Sequence, residues 1–314
     1  MAIHEGLQKV TDNIGRVIVG KEDTIHLLLT AVLAQGHVLL EDVPGTGKTR
    51  LAKALAASID ADFSRIQFTP DLLPSDVTGL NVYNQAASEF VLRKGPVFTN
   101  VLLADEINRA TPRTQAGLLE CMEEKQVTID GVSYSFEEPF FVIATQNPVE
   151  TSGTFPLPEA QMDRFVMKLS MGLPDAAEEL KILETYMEKD PLNDLQAVMT
   201  VEELLELREK ASKVYVHEDV RKYLVELVQK TRDNGRILMG VSPRGTLAML
   251  RCMKAYALLQ GREYCIPDDV KTLAVPVLAH RVVMNYGYSR PGEAEQYIES
   301  ILNEMAVPTE DFAK

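Results

Sequence analysis

His37-Val38-Leu39-Leu40-Glu41-Asp42-Val43-Pro44-Gly45-Thr46-Gly47-Lys48-Thr49-Arg50 is the stretch on which the reading of the chain turns. Val38 to Leu40 is a short apolar run suited to a buried strand, and from Leu51 apolar residues recur at helical spacing through Leu55 and Ile59. A glycine-bearing turn therefore stands where a helix begins. Backbone N–H groups there lack intrahelical partners and the helix dipole favours negative charge, so the turn is a seat for a polyphosphate. Gly45 and Gly47 let the backbone approach the anion, Lys48 is placed to reach the β- and γ-phosphates, and the Thr49 hydroxyl to ligate Mg²⁺. Pro44, Thr46 and Arg50 complete the candidate nucleotide-contacting set. The pattern G-x-x-x-x-G-K-[ST] asks for glycine where this chain has Asp42. No contact with phosphate is assigned to that carboxylate, and the first turn of the loop has to tolerate a Cβ.

The 314 residues suffice for two domains at roughly 100–200 residues each. A hydrophobic content of 46% with 25% charged residues is that of an ordinary globular chain. The formal charge of -14 opposes general affinity for nucleic acid, which rests on phosphate neutralisation by clustered Lys and Arg. No apolar segment approaches a membrane span and Met1 to Glu5 has no signal-peptide pattern, so a cytoplasmic protein is expected. Cys121, Cys252 and Cys265 have neither metal-ligand spacing nor an even count and read as reduced core thiols; the five scattered histidines suggest no zinc site.

Upstream of the loop, Ile25, Leu28, Leu29, Val32 and Leu33 mark a core-packed helix. Val17 to Lys21, containing Val19 and Gly20, is a short apolar segment that either packs in the core or lies against a nucleotide base. Phe63 to Phe68 alternates as a strand, and Leu80 to Tyr83 with Phe90 to Leu92 reads as a hairpin. Val101 to Ala104 is an apolar strand ending in Asp105-Glu106, expected beside the phosphate loop. Such a pair serves two jobs in phosphoryl transfer: Asp105 on the metal side, Glu106 orienting and polarising the attacking water. Thr111 to Glu124 reads as a helix capped by Thr111, and Asp130-Gly131 as the turn of a second hairpin. Phe140 to Thr145 is a buried strand followed by Asn147, either a contact for the γ-phosphate or lytic water or simply a turn residue before Pro148. Arg164 precedes a strand with Phe165, Met167 and Leu169 on one face, and by local pattern is a surface ion-pair partner.

Beyond Gly172-Leu173-Pro174 the pattern turns to helices alone: 176–187, 201–214, 220–231, 243–259 and 267–283. A boundary near residue 173 follows, dividing a nucleotide-binding core, 1–172, from a helical domain, 173–314. Ser242-Pro243-Arg244 joins a capping serine, a first-turn proline and an arginine; Arg244 is either a surface residue or one that reaches back to a nucleotide between the domains.

Taken together these residues resemble the MoxR family of AAA+ ATPases, in the branch with an insert in the second core helix. Glu41 to Thr49 is similar to Walker A and Leu103 to Ala110 to Walker B with its extension. Gln115 to Glu124 and Leu157 to Phe165 continue the likeness, Ala144 to Pro148 is similar to sensor 1, and Ser242-Pro243-Arg244 to sensor 2. The resemblance implies an α/β fold: a P-loop αβα sandwich with a central parallel sheet, followed by an all-α lid. It implies ATP and Mg²⁺ as ligands and assembly into rings, usually hexameric, with nucleotide between subunits and Arg164 as an arginine finger on the neighbour's γ-phosphate. It makes the 80–92 hairpin the second-helix insert and the Asp130-Gly131 hairpin the pre-sensor element. It also implies chaperone-like maturation or metal insertion, with a protein client or a von Willebrand A domain partner. The main expectation is ATP hydrolysis that remodels a protein client. A nucleotide-gated adaptor with slow hydrolysis, a magnesium-chelatase-like subunit and, against the net acidity, a nucleic-acid motor remain alternatives.

Overall fold

A computed structural model describes residues 3–86, 88–148, 153–232, 235–285, 292–309 and 312–313. Two helices, α1 (Glu5–Gly15) and α2 (Glu22–Leu33), precede β1 (His37–Glu41), and the glycine turn leads directly into α3 (Lys48–Ser58). Next come β2 (Phe63–Gln67), the short α4 (Pro74–Thr78), a hairpin of β3 (Gly79–Asn84) and β4 (Glu89–Lys94), and β5 (Val101–Asp105). Helix α5 (Pro112–Glu124), a second hairpin of β6 (Gln126–Ile129) and β7 (Val132–Ser135), β8 (Phe141–Gln146), α6 (Glu159–Met162) and β9 (Phe165–Leu169) follow.

Strands β1, β2, β5, β8 and β9 form one parallel sheet in the order β2-β5-β8-β1-β9. Parallel pairing places every strand's C-terminal end on one edge, so the glycine turn, Asp105-Glu106 and Asn147 all leave the sheet there. The acid pair is not on the strand beside the phosphate loop, as the sequence suggests. Strand β8 lies between β1 and β5 and inserts Thr145 to Asn147 into the gap.

The sheet is buried on both faces, and the two-residue period shows it. Val38 and Leu40 pack into a core with α1, α2 and α3, whereas Leu39 packs with Leu118, Leu119 and Met122 of α5 on the other side. This is an αβα sandwich. In the β6–β7 turn Asp130 and Gly131 both have positive φ (49° and 81°), the conformation for which Asp-Gly is suited. The hairpins touch where Asn81 Nδ2 donates to Asp130 Oδ2 at 2.8 Å. Thr111 does not cap α5. Its hydroxyl lies 3.3 Å from that of Thr114, which is itself 2.7 Å from the Leu72 carbonyl.

The remainder is α7 (Ala176–Tyr186), α8 (Val201–Ser212), α9 (Glu218–Lys230), β10 (Ile237–Met239), α10 (Pro243–Leu259), α11 (Pro267–Leu278), β11 (Val283–Met284) and α12 (Glu293–Glu304). It is not helical throughout: β10 and β11 form an antiparallel pair from segments far apart in sequence. The helix expected to reach Val283 stops at Leu278, and the Arg281 guanidinium donates to the Val277 carbonyl in its last turn. Helix α2 packs against both α8 and α10, so the core on that face of the sheet continues into the helical part. Among the described residues no helix is long and apolar enough to cross a membrane. All three cysteines are buried, and burial pushes each thiol up to about 12, leaving them inert apolar residues.

His37, at the foot of β1, is buried. Its Nδ1 accepts from the Val142 N–H at 3.0 Å and its Nε2 lies 3.0 Å from the Met122 carbonyl, which requires a neutral ring. Burial lowers its pKa to about 4. The unfolded chain protonates this ring near pH 6.5 and the folded chain only near 4, so stability is lost as pH falls through that window, by up to roughly 3 kcal/mol. His280, partly buried and with its pKa lowered chiefly by desolvation, acts in the same direction. We therefore predict that the stability difference between the parent and His37→Gln shrinks as pH is lowered from 7 to 4, measured by chemical denaturation; a difference independent of pH would contradict the neutral buried ring.

Candidate active site

The turn after β1 adopts the conformation that its glycines permit. Gly45 and Gly47 have φ of 87° and 92°, in the region that side-chain-bearing residues rarely adopt, and Gly47 immediately precedes α3. Lys48 folds back over this turn, its Nζ donating to the carbonyls of Asp42 and Val43 at 2.8 and 3.0 Å. Burial lowers its pKa, opposed by the charges of Asp42, Asp105 and Glu106.

Asp42, where a glycine would stand in the usual pattern, is buried and turned away from the cleft. Its carboxylate accepts from Ser170 Oγ (2.7 Å), Met171 N (2.7 Å) and Gly172 N (3.1 Å). The residue that breaks the motif thus ties the root of the loop to the segment leaving β9. A second tie comes from Arg50, whose Nη1 donates to both Asp190 oxygens at 2.7 and 2.8 Å while the guanidinium lies over the Tyr186 ring. This hydrogen bond raises the pKa of Arg50 and lowers that of Asp190.

Asp105 ends β5 with its Oδ1 accepting from Thr145 Oγ1 at 2.6 Å and its Oδ2 from Arg65 Nη2 at 2.7 Å. Glu106 follows in the left-handed region (φ 56°, ψ 50°), which turns its side chain away from that of Asp105. Its N–H donates to Thr145 Oγ1 at 2.8 Å, and its Oε2 accepts from Gln67 Nε2 at 2.7 Å and Arg109 Nε at 3.0 Å. One hydroxyl on β8 thus bridges the two acidic residues.

A cleft of ≈ 340 Å³ is lined by the whole turn from Pro44 to Arg50 together with Asp105, Glu106, Thr145, Gln146 and Asn147. An adjoining, more apolar cleft of ≈ 320 Å³ shares Gly45 to Gly47 and Arg50 and adds Val17, Ile18, Val19, Ile182 and Tyr186. Val19 therefore sits where a base could lie beside the phosphate seat. Gly20 lines neither cleft. With φ 72°, it packs under Glu178, whose carboxylate would collide with a Cβ there. Backbone N–H groups at a helix start, an ammonium, a hydroxyl (Thr49) and a carboxylate (Asp105) suit a triphosphate with a hard cation.

Arg164 and Arg244 are not in this cleft. Phe165 is in register with His37, so Arg164 lies at the opposite, N-terminal edge of the sheet. Arg244 joins it there, because the N-cap Ser242 of α10 is hydrogen-bonded to Asp163 at 3.2 Å. Arg164 is an ion-pair partner of Glu123, as its local pattern suggests. Arg244 does not reach back to the phosphate cleft of its own chain.

Several site residues escape sequence reading. Arg65 and Gln67 are two apart on β2, a signal visible in the alternation but indistinguishable from a solvated strand face until β2 is paired with β5. Thr145 lies two residues before Asn147, yet its bridging role depends on β8 lying beside β5. Nothing in the local sequence marks Glu123 or Arg281, and Asp42 stands out only as a departure from the loop pattern, with no sign of its partners on 170–172.

The fold and this cleft define a P-loop ATPase of the AAA+ class. Residues 37–167 match the family model described as ATPase family associated with various cellular activities, and residues 229–303 match the AAA lid domain. The chain is 50% identical to the uncharacterized protein YeaC of Bacillus subtilis over 99% of this chain and 98% of that protein. It is 39% identical to chaperone MoxR1 of Mycobacterium tuberculosis (96% and 82%) and 32% identical to MoxR of Paracoccus denitrificans (88% of each). A crystal structure from Cytophaga hutchinsonii, described only provisionally as an ATPase, superposes with a TM-score of 0.87 at 42% identity, covering 97% of this chain and 95% of that one. The chain belongs to the MoxR family of AAA+ ATPases.

Replacing Asp42 by Ala strands the Met171 N–H in a buried place and takes the carboxylate acceptor from Gly172 N–H and Ser170 Oγ. We predict a loss of about 1–3 kcal/mol in denaturant unfolding together with weaker nucleotide binding. A variant as stable as the parent would show that the carboxylate does not anchor the loop.

Proposed function

We propose that the chain is the subunit of a hexameric ring that hydrolyses ATP with Mg²⁺ and uses the resulting movement to remodel a protein client. The observation that carries this reading is the division of charges. Lys48, Asp105, Glu106 and Asn147 share one cleft, whereas Arg164 and Arg244 stand at the other edge of the sheet. Neither Arg164 nor Arg244 reaches the phosphate cleft of its own chain, and a neighbouring copy's cleft is the natural recipient of both.

In this reading Lys48 and the 45–49 backbone bind the β- and γ-phosphates. Thr49 and Asp105 hold Mg²⁺, which neutralises charge on the phosphate oxygens. Glu106, with Asn147 beside it, orients a water on the γ-phosphorus and accepts its proton as the water oxygen bonds to phosphorus and the bridging oxygen leaves with ADP. The neighbour's Arg164 and Arg244 offset the charge developing on the γ-phosphoryl group. Residues 1–172 act as the nucleotide core and 173–314 as the lid, joined by the Arg50 tie to Asp190, while Asp42 holds the 170–172 segment that leads into the lid. The chaperone name carried by the mycobacterial relative supports a protein client, to which a von Willebrand A domain partner would deliver the ring. Buried, unpaired thiols are consistent with a reducing, cytoplasmic setting.

Lys48→Ala is expected to abolish binding of a fluorescent ATP analogue. Glu106→Gln should retain binding but lose turnover by on the order of a hundredfold in a phosphate-release assay, since it removes only the base. Parent-rate hydrolysis by Glu106→Gln would refute its role. Mixing Arg164→Ala with Lys48→Ala subunits, each inactive alone, should restore turnover at interfaces that pair an intact cleft with an intact arginine; verified mixed assemblies without recovery would rule out action between copies.

A further inference from the structure

The two arginines are bridged by a third residue. Glu123, in the last turn of α5, contacts Arg164 Nη2 through Oε2 at 3.1 Å and Arg244 Nη2 through Oε1 at 3.2 Å. Each guanidinium is engaged through a terminal nitrogen, and a guanidinium has five N–H donors in all, so the contact is compatible with simultaneous donation to a phosphate. We propose that Glu123 is a positioning residue: one carboxylate holds both guanidinium groups side by side, presenting them as a pair to the triphosphate bound by a neighbouring copy. This rests on the ring reading given above.

Three observations support it. First, two guanidinium groups brought this close repel each other, and an anion between them removes that cost. Second, the backbones of the two arginines are already tied together, so the carboxylate has only the side-chain ends left to fix. The buried Arg281 donates from Nη2 to the carbonyls of Asp163 (3.2 Å) and Phe165 (2.7 Å), straddling Arg164, and from Nε to Asp163 Oδ1 at 2.6 Å. The other Asp163 oxygen accepts from Ser242 Oγ, two residues before Arg244. Gly245 makes room for this arrangement, since a Cβ there would stand 2.9 Å from Arg281 Cδ. Third, the bridge is accessible. The side chains of Glu123, Arg164 and Arg244 are 38%, 29% and 43% exposed and line an open cleft with Arg251, so a second copy can reach them.

The alternative that this excludes is restraint, in which Glu123 competes with phosphate and keeps the arginines idle. The two roles predict opposite signs. We expect Glu123→Gln to lower kcat for Mg·ATP by roughly ten- to a hundredfold, the scale of misplacing a catalytic group by about an ångström, with affinity for a fluorescent ATP analogue and the unfolding midpoint unchanged. Glu123→Asp, which keeps the charge, should recover part of the loss. In the Arg164→Ala/Arg244→Ala background Glu123→Gln should leave the unfolding midpoint unchanged, whereas a purely structural role would lower it there as well. Mixed with Lys48→Ala subunits, Glu123→Gln subunits should regain turnover, because their clefts then meet intact arginine pairs. Turnover by Glu123→Gln at or above the parent rate, or a lowered unfolding midpoint in the arginine-free background, overturns the proposal. If Glu123→Gln behaves as the parent while Arg164→Ala and Lys48→Ala still complement, only the positioning role falls. If those two variants fail to complement in verified mixed assemblies, it is the ring reading that falls.

Discussion

A polyphosphate can be held without side-chain charge only where unpartnered backbone N–H groups converge, and a helix start supplied by a buried strand is such a place. Everything else in this chain depends on keeping that start rigid. The β1 strand is buried on both faces, α3 begins at Gly47, and Asp42 anchors the root of the turn to the end of β9 through three hydrogen bonds. A carboxylate in the first position of a phosphate loop is acceptable because it is spent on donors behind the loop. Its charge is buried, yet it accepts from two backbone N–H groups and a hydroxyl, which is the condition under which burial of an anion is tolerated. The same contact ties the loop to the 170–172 segment that leads from β9 into the helical part.

Opposite chemistry sits at the two edges of the sheet. The C-terminal edge gathers the glycine turn, the lysine and the acid pair; the N-terminal edge gathers Arg164, Arg244 and Arg281 around Asp163 and Glu123. Parallel strands make this separation unavoidable, since groups at opposite ends of a strand cannot meet within one copy. Two carboxylates then serve different ends in the arginine cluster. Asp163 is locked to the buried Arg281 and fixes backbone, while Glu123 is half-exposed and fixes side chains. At the other edge the acid pair is likewise differentiated by its surroundings. Asp105 is held by an arginine and a hydroxyl, and Glu106 leaves the strand in a left-handed turn toward Gln67 and Arg109.

Local sequence was enough for the elements whose cause is local. Apolar runs of strand length, helical periodicity from Leu51 and the Asp-Gly turn at 130–131 each depend on neighbouring residues alone, and each element is present where its pattern stands. The phosphate loop was legible for the same reason: strand, turn and helix are contiguous, and Lys48, Asp105, Glu106 and Asn147 line one cleft. What tertiary structure decided is whatever requires knowing which strand lies beside which. The sequence could not say that β8 separates β1 from β5, that the exposed polar pair Arg65 and Gln67 hydrogen-bonds the acids, or that β10 finds β11. Nor could it place Arg244, whose capping serine marks a helix start but not where that helix lies. That position comes from α10 packing on α2 and from the Ser242–Asp163 hydrogen bond, contacts between residues far apart in the chain. Hydrophobic period is a property of one element at a time, whereas a charge acquires its role only from the partner that folding brings to it.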